Sequence, residues 1–492
     1  KSNYIENIYR YSYIQLWEKY ELYEKQNIYK ENISLKNRAT YDVLVANKYI
    51  SKDKEKKKNE NIYFCCLVKS THHICGYIST ENKKIIFIYD SEDNYNYIKD
   101  DLGYDAEMKC CFGSIFKGHQ KDKDIINLSI KYDEIKYMFY KTYFYNLSAI
   151  EIYTKSNKSY FFNFKNNKNL SQFINDVLYH GNFQEIKLRE NYTKIIGYEN
   201  IPNPITTKKN INYFLTIKYE EWKNHIISTL ELLMWMNILS GRSFHDMTQY
   251  PVFPWVLTNF INEEINLDEN MRNMSLPIGI LETSEEARIE TYNEIYESVK
   301  SDLNEIDPEF IYQEYLLKGS EYYDTYLQNK FKLKNDENTD ITFIQPNQLP
   351  YYYGTHYSNA TYVSHYLTRI FPYAFISIEI QGEKFDDKDR LFTSMKKTFE
   401  SAMTLKDDVR ELIPEYFILP EMFLNINKLN FNSNEINDVE LPPWSKGSAY
   451  YFVSHLRKIL ENDNLNINQW FDLIFGFKQR GEKAELAKNI YM

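Results

Sequence analysis

The stretch Gly241 to Trp255, GRSFHDMTQYPVFPW, decides how the rest of the chain is read. Its first six residues hold an Arg, a His and an Asp, as an acid/base site would. It then runs into two prolines and several large aromatics, as buried core would. Upstream, the segment from Trp222 to Ser240 is apolar nearly all round. Ile226, Leu230, Leu233, Met234 and Asn237 share one helical face, and Trp235, Met236, Ile238 and Leu239 fill the others. A helix of that kind is buried rather than laid on a surface. Pro251 and Pro254 push the residues before them into extended conformations and offer no amide donor. YPVFPW is therefore expected as buried, extended peptide without regular pairing. Buried backbone groups need partners, since an unsatisfied one costs about 1–3 kcal/mol. Asn237, Arg242, Asp246 and Gln249 stand in position to supply them, within a frame of Gly241, Tyr250, Pro251, Pro254 and Trp255.

The same composition recurs downstream. IFPYAFISIEI follows Arg369, ELIPEYFILPEMF carries Glu411, Pro414, Glu415 and Glu421, and ELPPW ends on Trp444. Each is too apolar for a solvated loop and is expected to be extended core, with the neighbouring polar residues serving its backbone. Helical spacing is read around 283–300, 308–327, 358–370, 384–405, 447–461 and 467–476, so this half is mostly α.

The first half has a different pattern. IYFCCLV, HICGYI, KIIFIY, IKYMFYKTYF, SAIEIYT and SYFFNF are strand-like and separated by turn-rich segments, with a charged insertion at 91–124. NLSQFINDVLYH follows, with Leu170, Phe173, Ile174 and Val177 at helical spacing. Antiparallel strands closed by one C-terminal helix have the order of a pleckstrin-homology-like (PH-like) barrel. The fold class is thus α+β and multidomain: an N-terminal helical and charged extension at 1–60, a PH-like barrel at 61–182, a proline-bearing linker at 183–210 and a mostly helical domain at 211–492.

Composition narrows the function classes. A chain of 492 residues exceeds what one core usually serves. It starts at Lys1, which reads as an excerpt of a longer chain. No apolar run reaches the roughly 18–20 residues a membrane span needs, so a soluble protein is expected. A formal net charge of −10 argues against broad nucleic-acid binding. The cysteines Cys65, Cys66, Cys75, Cys110 and Cys111 are odd in number and suit a reducing cytosol. His72 and His73 raise the question of zinc, but neighbours on a strand point to opposite faces and no CxxC spacing occurs, so no metal or cofactor is expected.

Arg242, His245 and Asp246 have the residue types of an acid/base set, and His356 and Ser358 in GTHYSN those of a hydrolase nucleophile and base. GTHYSN lacks the G-x-S-x-G elbow, however, and reads better as a helix cap near Ser358, behind Gly354. Glu383, Asp386, Asp387 and Asp389 resemble a metal cluster, but Asp386 and Arg390 at i and i+4 describe a solvated ion pair. No P-loop, dinucleotide, kinase or zincin motif is present. No catalytic residues are expected. Lys69, His72 and His73, in the loop after the first strand, are the candidates for lipid binding by the barrel.

MNILSGRSFHDMTQYPVFPWVL, YGTHYSNATYVSHYLTRIFPYAFISIEIQGEKFDDKDRLF, DVRELIPEYFILPEMF, LPPW and WFDLIFGFKQRG, in that order, resemble the signature blocks of the BEACH domain. YNLSAIEIYTKSNKSYFFNFKNNKNLSQFINDVL resembles the PH-like module that precedes it. The chain departs from the family in three places: His245 stands where Asn is usual, Pro372–Tyr373–Ala374 replaces a PFT-like triplet, and Tyr140, Lys141 and Thr142 replace paired arginines. The last departure leaves open whether the family's charge contact through those arginines survives here.

The resemblance implies a neurobeachin-like or lysosomal-trafficking-regulator-like, non-enzymatic scaffold in vesicle or membrane trafficking, including fusion, fission, lysosomal and autophagy-related events. Its partners would be proteins of the trafficking machinery, met by a PH-like and BEACH pair packed as one protein-binding unit. WD40 repeats would follow downstream. The location implied is the cytoplasm, with peripheral association with vesicle or endolysosomal membranes. A lipid-binding adaptor acting through the barrel is the alternative reading, and a hydrolase using His356 and Ser358 a remote one.

Overall fold

The computed structural model describes residues 62–70, 73–81, 83–89, 127–143, 146–164, 167–181, 204–205, 208–281, 351–352, 359–380, 385–387, 390–405, 408–429, 431, 437–479 and 481–491. The expected N-terminal extension, the 91–124 insertion, most of the 183–210 linker and the helices expected at 283–300 and 308–327 lie outside these residues. The chain divides into two compact units: Lys1–Met247 with Ile370–Lys384, and Thr248–Arg369 with Phe385–Met492.

The first unit is built on a sheet. Strands β1 (Ile62–Val68), β2 (His73–Glu81), β3 (Lys84–Tyr89), β4 (Asn127–Lys131), β5 (Ile135–Tyr143), β6 (Asn146–Thr154) and β7 (Ser159–Phe164) are joined in the order β4-β3-β2-β1-β7-β6-β5. Every pair among these seven is antiparallel. A two-residue strand, β8 (Pro204–Ile205), adds in parallel against Met138 and Phe139 of β5. Gly76 in β2 is required by close packing, since a Cβ there would sit 2.1 Å from the Ile88 carbonyl oxygen. Helix α1 (Asn167–Gly181) places Leu170, Phe173, Ile174 and Val177 in the barrel core beside Leu67, Ile78, Phe87, Ile152 and Phe162. Strand β4 falls between the expected insertion and IKYMFYKTYF, where the strand pattern was not read.

Alternation in the central strands explains what packs outside the barrel. In β5 and β6 one face sends Met138, Ile150 and Ile152 into the core, and the other carries Lys141, Ala149, Glu151 and Tyr153. All of these are buried, so the outer face of β5–β6 is covered as well.

The cover comes from α2 (Lys208–Lys223) and α3 (Thr229–Leu239); the helix expected from Trp222 to Ser240 starts instead at Thr229. The break has a local cause. The Ser228 side chain accepts from the Glu231 amide at 3.2 Å, a helix N-cap, and Trp222 ends the preceding helix with its indole donating to Thr229 Oγ1 at 3.0 Å. Ile226 is consequently 56% exposed and not part of a buried face. Every α3 residue except Glu231 is buried, as the all-round apolar pattern requires. At its end, Gly241 takes φ +99°, the left-handed conformation that lets the chain turn off a helix.

The second unit is helical and irregular, with α4 (Leu267–Asn270), α5 (Ala360–Tyr366), α7 (Met395–Thr404), α8 (Ala449–Leu460), α9 (Asn468–Ile474) and α10 (Gly481–Leu486); α6 (Tyr373–Ile380) belongs to the first unit. Of the segments expected to be extended, YPVFPW is so. Its Phe253 forms an isolated antiparallel bridge with Leu412, amide to carbonyl at 2.8 Å in both directions. The other three are corrected. IFPYAFISIEI forms α6, ELIPEYFILPEMF forms two 3-10 turns at Pro414–Phe417 and Pro420–Phe423, and LPPW forms another at Pro443–Ser445. Proline opens each of the three 3-10 turns, since its fixed φ suits the first helical residue and its missing N–H costs nothing there. No helix among the described residues is long and apolar enough to cross a membrane.

Candidate functional site

The residues that sequence reading grouped around GRSFHD meet the barrel inside the first unit. Lys141 pairs with Ala149, and Phe139 with Glu151, so Lys141 and Glu151 are diagonal neighbours on the outer face of β5–β6. Their charged groups lie 3.3 Å apart with side-chain exposures of 0% and 1%. The Lys141 ammonium also donates to the carbonyls of Ile238 at 2.9 Å and Arg242 at 2.6 Å. Those carbonyls close the C-terminal end of α3, where the helix dipole favours a cation. Burial pulls the Lys141 pKa down from its ordinary value, against the opposing charges of Glu151 and Asp246.

The other Glu151 oxygen accepts from Ser243 Oγ at 2.9 Å, and Ser243 Oγ accepts in turn from the His245 amide at 3.1 Å. His245 Nε2 shares a 2.8 Å hydrogen bond with Ser159 Oγ of β7. Burial, reinforced by the charge of Lys69, drives the His245 pKa down to about 3. The ring is neutral at physiological pH and acts as a hydrogen-bonding strut. The barrel lysine and glutamate and the GRSFHD serine and backbone satisfy one another.

Beside this lock lies an aromatic rim. Tyr137 of β5, Phe214 of α2 and Trp235 of α3 meet edge to face, with centroid separations of 5.8 Å for Tyr137–Phe214, 5.4 Å for Tyr137–Trp235 and 5.1 Å for Phe214–Trp235. The Lys218 ammonium sits 5.2 Å from the Trp235 ring centroid and 2.7 Å from Glu221. Lys136 lies over Tyr137 at 5.6 Å. Tyr137 and Lys136 are half-buried, so the rim reaches solvent. The Trp235 indole N–H is buried with no acceptor among the described residues.

In the second unit the expected polar residues serve the backbone and one another. Glu411 is the hub. It accepts from the Trp255 amide at 3.1 Å, from Trp470 Nε1 at 3.1 Å, and from both Arg272 terminal nitrogens at 2.7 and 2.8 Å. Tyr250 donates to Glu415 at 2.6 Å, Trp255 Nε1 to the Arg410 carbonyl at 2.9 Å, and Trp444 Nε1 to the Asn259 carbonyl at 3.2 Å. Arg369, fully buried, donates to the carbonyls of Asn437 at 2.9 Å and Phe392 at 2.6 Å, and burial lowers its pKa to about 10.

The remaining expected residues are scattered. Asn237 in α3 donates to the Leu233 carbonyl at 2.9 Å, and Arg242 and Asp246 are buried in the first unit. Pro251, Pro254 and Pro414 are buried in the second, and Gln249 is exposed. Arg390 is solvent-facing and bridges Asp386 at 3.1 Å and Asp387 at 3.0 Å. The cap expected near Ser358 is Asn359, whose side chain accepts from the Tyr362 amide at 2.9 Å. Gly354, His356, Ser358 and His72 lie outside the described residues, as does the side chain of His73 at the start of β2. Lys69 follows β1. Among the described residues no group of His, Cys, Asp and Glu could hold a metal ion. Sequence reading missed Glu151, Arg272 and Trp470, and named Lys141 only as a departure from the family's paired arginines. The available signal was a charge at mid-strand in IKYMFYKTYF and in SAIEIYT, on faces that alternation marks as buried.

A profile of the Beige/BEACH domain matches residues 220–327 and 325–492, and one of the PH domain associated with Beige/BEACH matches residues 65–178. The chain belongs to the BEACH-domain family. A putative neurobeachin homolog of Caenorhabditis elegans is 35% identical over 280 residues, 55% of this chain and 9% of that protein. BEACH domain-containing protein B of Arabidopsis thaliana is 28% identical over 82% of this chain and 14% of its own length. Beige protein homolog 1 of Saccharomyces cerevisiae is 32% identical over 70% of this chain and 15% of its own. The chain thus spans a small part of the curated relatives it matches. The C-terminal domain of an unknown protein from Leishmania infantum aligns over 27% of this chain and 98% of that one with 17% identity and a TM-score of 0.17, a likeness too slight to bear on the fold. The Lys141 lock therefore joins the PH-like barrel to the opening helices of the BEACH domain.

Proposed function

We propose that this chain is a non-enzymatic scaffold segment in membrane trafficking, in which the PH-like barrel and the first BEACH helices act as one protein-binding body. The observation that carries this reading is the Lys141–Glu151–Ser243 network: two buried charges and two helix-end carbonyls are satisfied only when barrel and helices stay together. The residues with catalytic types near it are spent on this join. The aromatic rim of Tyr137, Phe214 and Trp235, flanked by Lys136 and Lys218, has the composition of an interface anchor, with Tyr137 and the two lysines as its solvent-facing part. The partners proposed are proteins of the vesicle-trafficking machinery, met in the cytoplasm at vesicle or endolysosomal membranes.

The test is affinity capture by the whole chain, comparing it with a Lys136→Glu/Lys218→Glu variant of equal melting temperature. The reading expects trafficking proteins to be captured by the parent and lost with the variant. An identical set of captured proteins would remove the rim from the account.

A further inference from the structure

The cysteines and histidines that open the barrel have no metal-binding spacing along the chain, but strand pairing changes which of them are neighbours. Cys66 of β1 stands directly opposite Cys75 of β2, and Val68 opposite His73. His73 and Cys75 are two residues apart on one strand and so belong to one face of the sheet, and Cys66 shares that face as the partner of Cys75. It is the outer face. Tyr63, Cys65 and Leu67 belong to the barrel core, so Phe64, Cys66 and Val68 alternate outwards, and Phe64 meets Tyr77 of β2 there with ring centroids 5.6 Å apart. The side chains of His73 and Cys75 lie outside the described residues, and it is the register that places these two positions.

Two thiols and one imidazole therefore belong to three adjoining positions of one sheet face. Residues directly opposed in an antiparallel pair have Cα atoms about 4.5–5.5 Å apart, and residues i and i+2 of a strand about 7 Å. Zinc bonds a thiolate at about 2.3 Å and an imidazole nitrogen at about 2.0 Å, so side chains rooted this closely can converge on one ion. Cys66 itself is 5% exposed. On its other side it stands opposite Asn163 of β7, which is buried and whose Oδ1 accepts from Ser148 Oγ at 2.7 Å. Cys65, facing the core, has its thiol pushed well up by burial and packs as a small hydrophobe.

We propose that Cys66, Cys75 and His73 form a zinc-binding site on the outer face of β1–β2. Two thiolates and an imidazole are a ligand set that zinc takes, and their two negative charges offset the two positive charges of the ion, as a covered sheet face requires. Three protein ligands leave the fourth tetrahedral position to water. The row Cys75–Cys66–Asn163–Ala149–Lys141 runs across the sheet from β2 to β5, so zinc would fasten one end of the row whose other end the Lys141 lock holds.

The experiment is a cobalt(II) titration of the whole chain, reduced and stripped of metal with a chelator, because cobalt replaces zinc in such sites and shows a thiolate charge-transfer band when cysteines bind it. One equivalent should bind with that band and be displaced by zinc. Cys66→Ser and Cys75→Ser should each weaken binding by about a hundredfold or more, and His73→Gln should do the same while keeping the thiolate band. Cys65→Ala, on the opposite face, and Cys110→Ser/Cys111→Ser should bind as the parent does. Zinc should raise the melting temperature of the parent and leave that of Cys75→Ser unchanged. Should the buried Cys66→Ser disturb folding, Cys75→Ser and His73→Gln still report singly on β2. No thiolate band in the reduced parent, parental binding by Cys75→Ser, or a band abolished by Cys110→Ser/Cys111→Ser would each overturn the proposal.

Discussion

Lys141 shows how much one side chain can decide. A lysine amid IKYMFYKTYF reads as an interruption of a strand, yet its ammonium has three acceptors: a carboxylate at 3.3 Å and two carbonyls at 2.9 and 2.6 Å. Removing one partner of a buried ion pair leaves the other charge uncompensated, so Lys141→Met should cost about 3–5 kcal/mol in urea denaturation. Adding Glu151→Leu should recover part of that loss, because both charges are then gone. A Lys141→Met loss under about 1 kcal/mol would mean that water takes over the lysine's role. The contact was not legible in the sequence because its acceptors are main-chain carbonyls some hundred residues away. Asn237, Arg369 and Glu411 were legible as residues that serve buried backbone, since prolines and aromatics beside them left amides and carbonyls in need of partners. Their particular bonds were not.

At the scale of elements, local chemistry sets where each segment starts and stops. The reading of Trp222–Ser240 as one helix followed apolar content and overlooked the Ser228-x-x-Glu231 pattern, a capping signal that places the start at Thr229. Ser228→Ala should lower stability by about 1 kcal/mol, read from thermal melting, and an unchanged melt would assign the boundary to packing alone. The strands of the barrel other than β4, and the helix α1, were legible because period-2 and period-3.6 patterns are strong there. The proline segments were half legible. Burial was right, but proline opens a helical turn as readily as it extends a chain, and only tertiary context chooses. In the second unit Glu411 holds YPVFPW, α9 and Arg272 together, and Glu411→Ala should cost about 3–5 kcal/mol by leaving the guanidinium unpaired.

For the whole molecule, acid sensitivity follows from two half-buried histidines. Burial takes His245 from its ordinary 6.5 down to about 3, and His365 well below 6.5. The unfolded chain binds these protons first as pH falls, so stability is fully present above 6.5 and declines as pH drops towards 3. His245→Asn should remove its share, about 1–2 kcal/mol between pH 7 and pH 5, as a shallower fall in melting temperature. An unchanged acid slope would show that Nε2 is hydrated and free to protonate. The order of blocks made the family legible from sequence, whereas the compact units divide at Met247 and not at the expected 183–210 linker. What unites barrel and helices was not, because it depends on register and helix-end geometry. Hydrogen exchange of the whole chain, with and without Lys141→Met, tests that union directly. The account predicts that amides of β5–β6 and of α3 share one opening free energy in the parent and lose protection together in the variant. Loss confined to α3, with β5–β6 as protected as before, would contradict it.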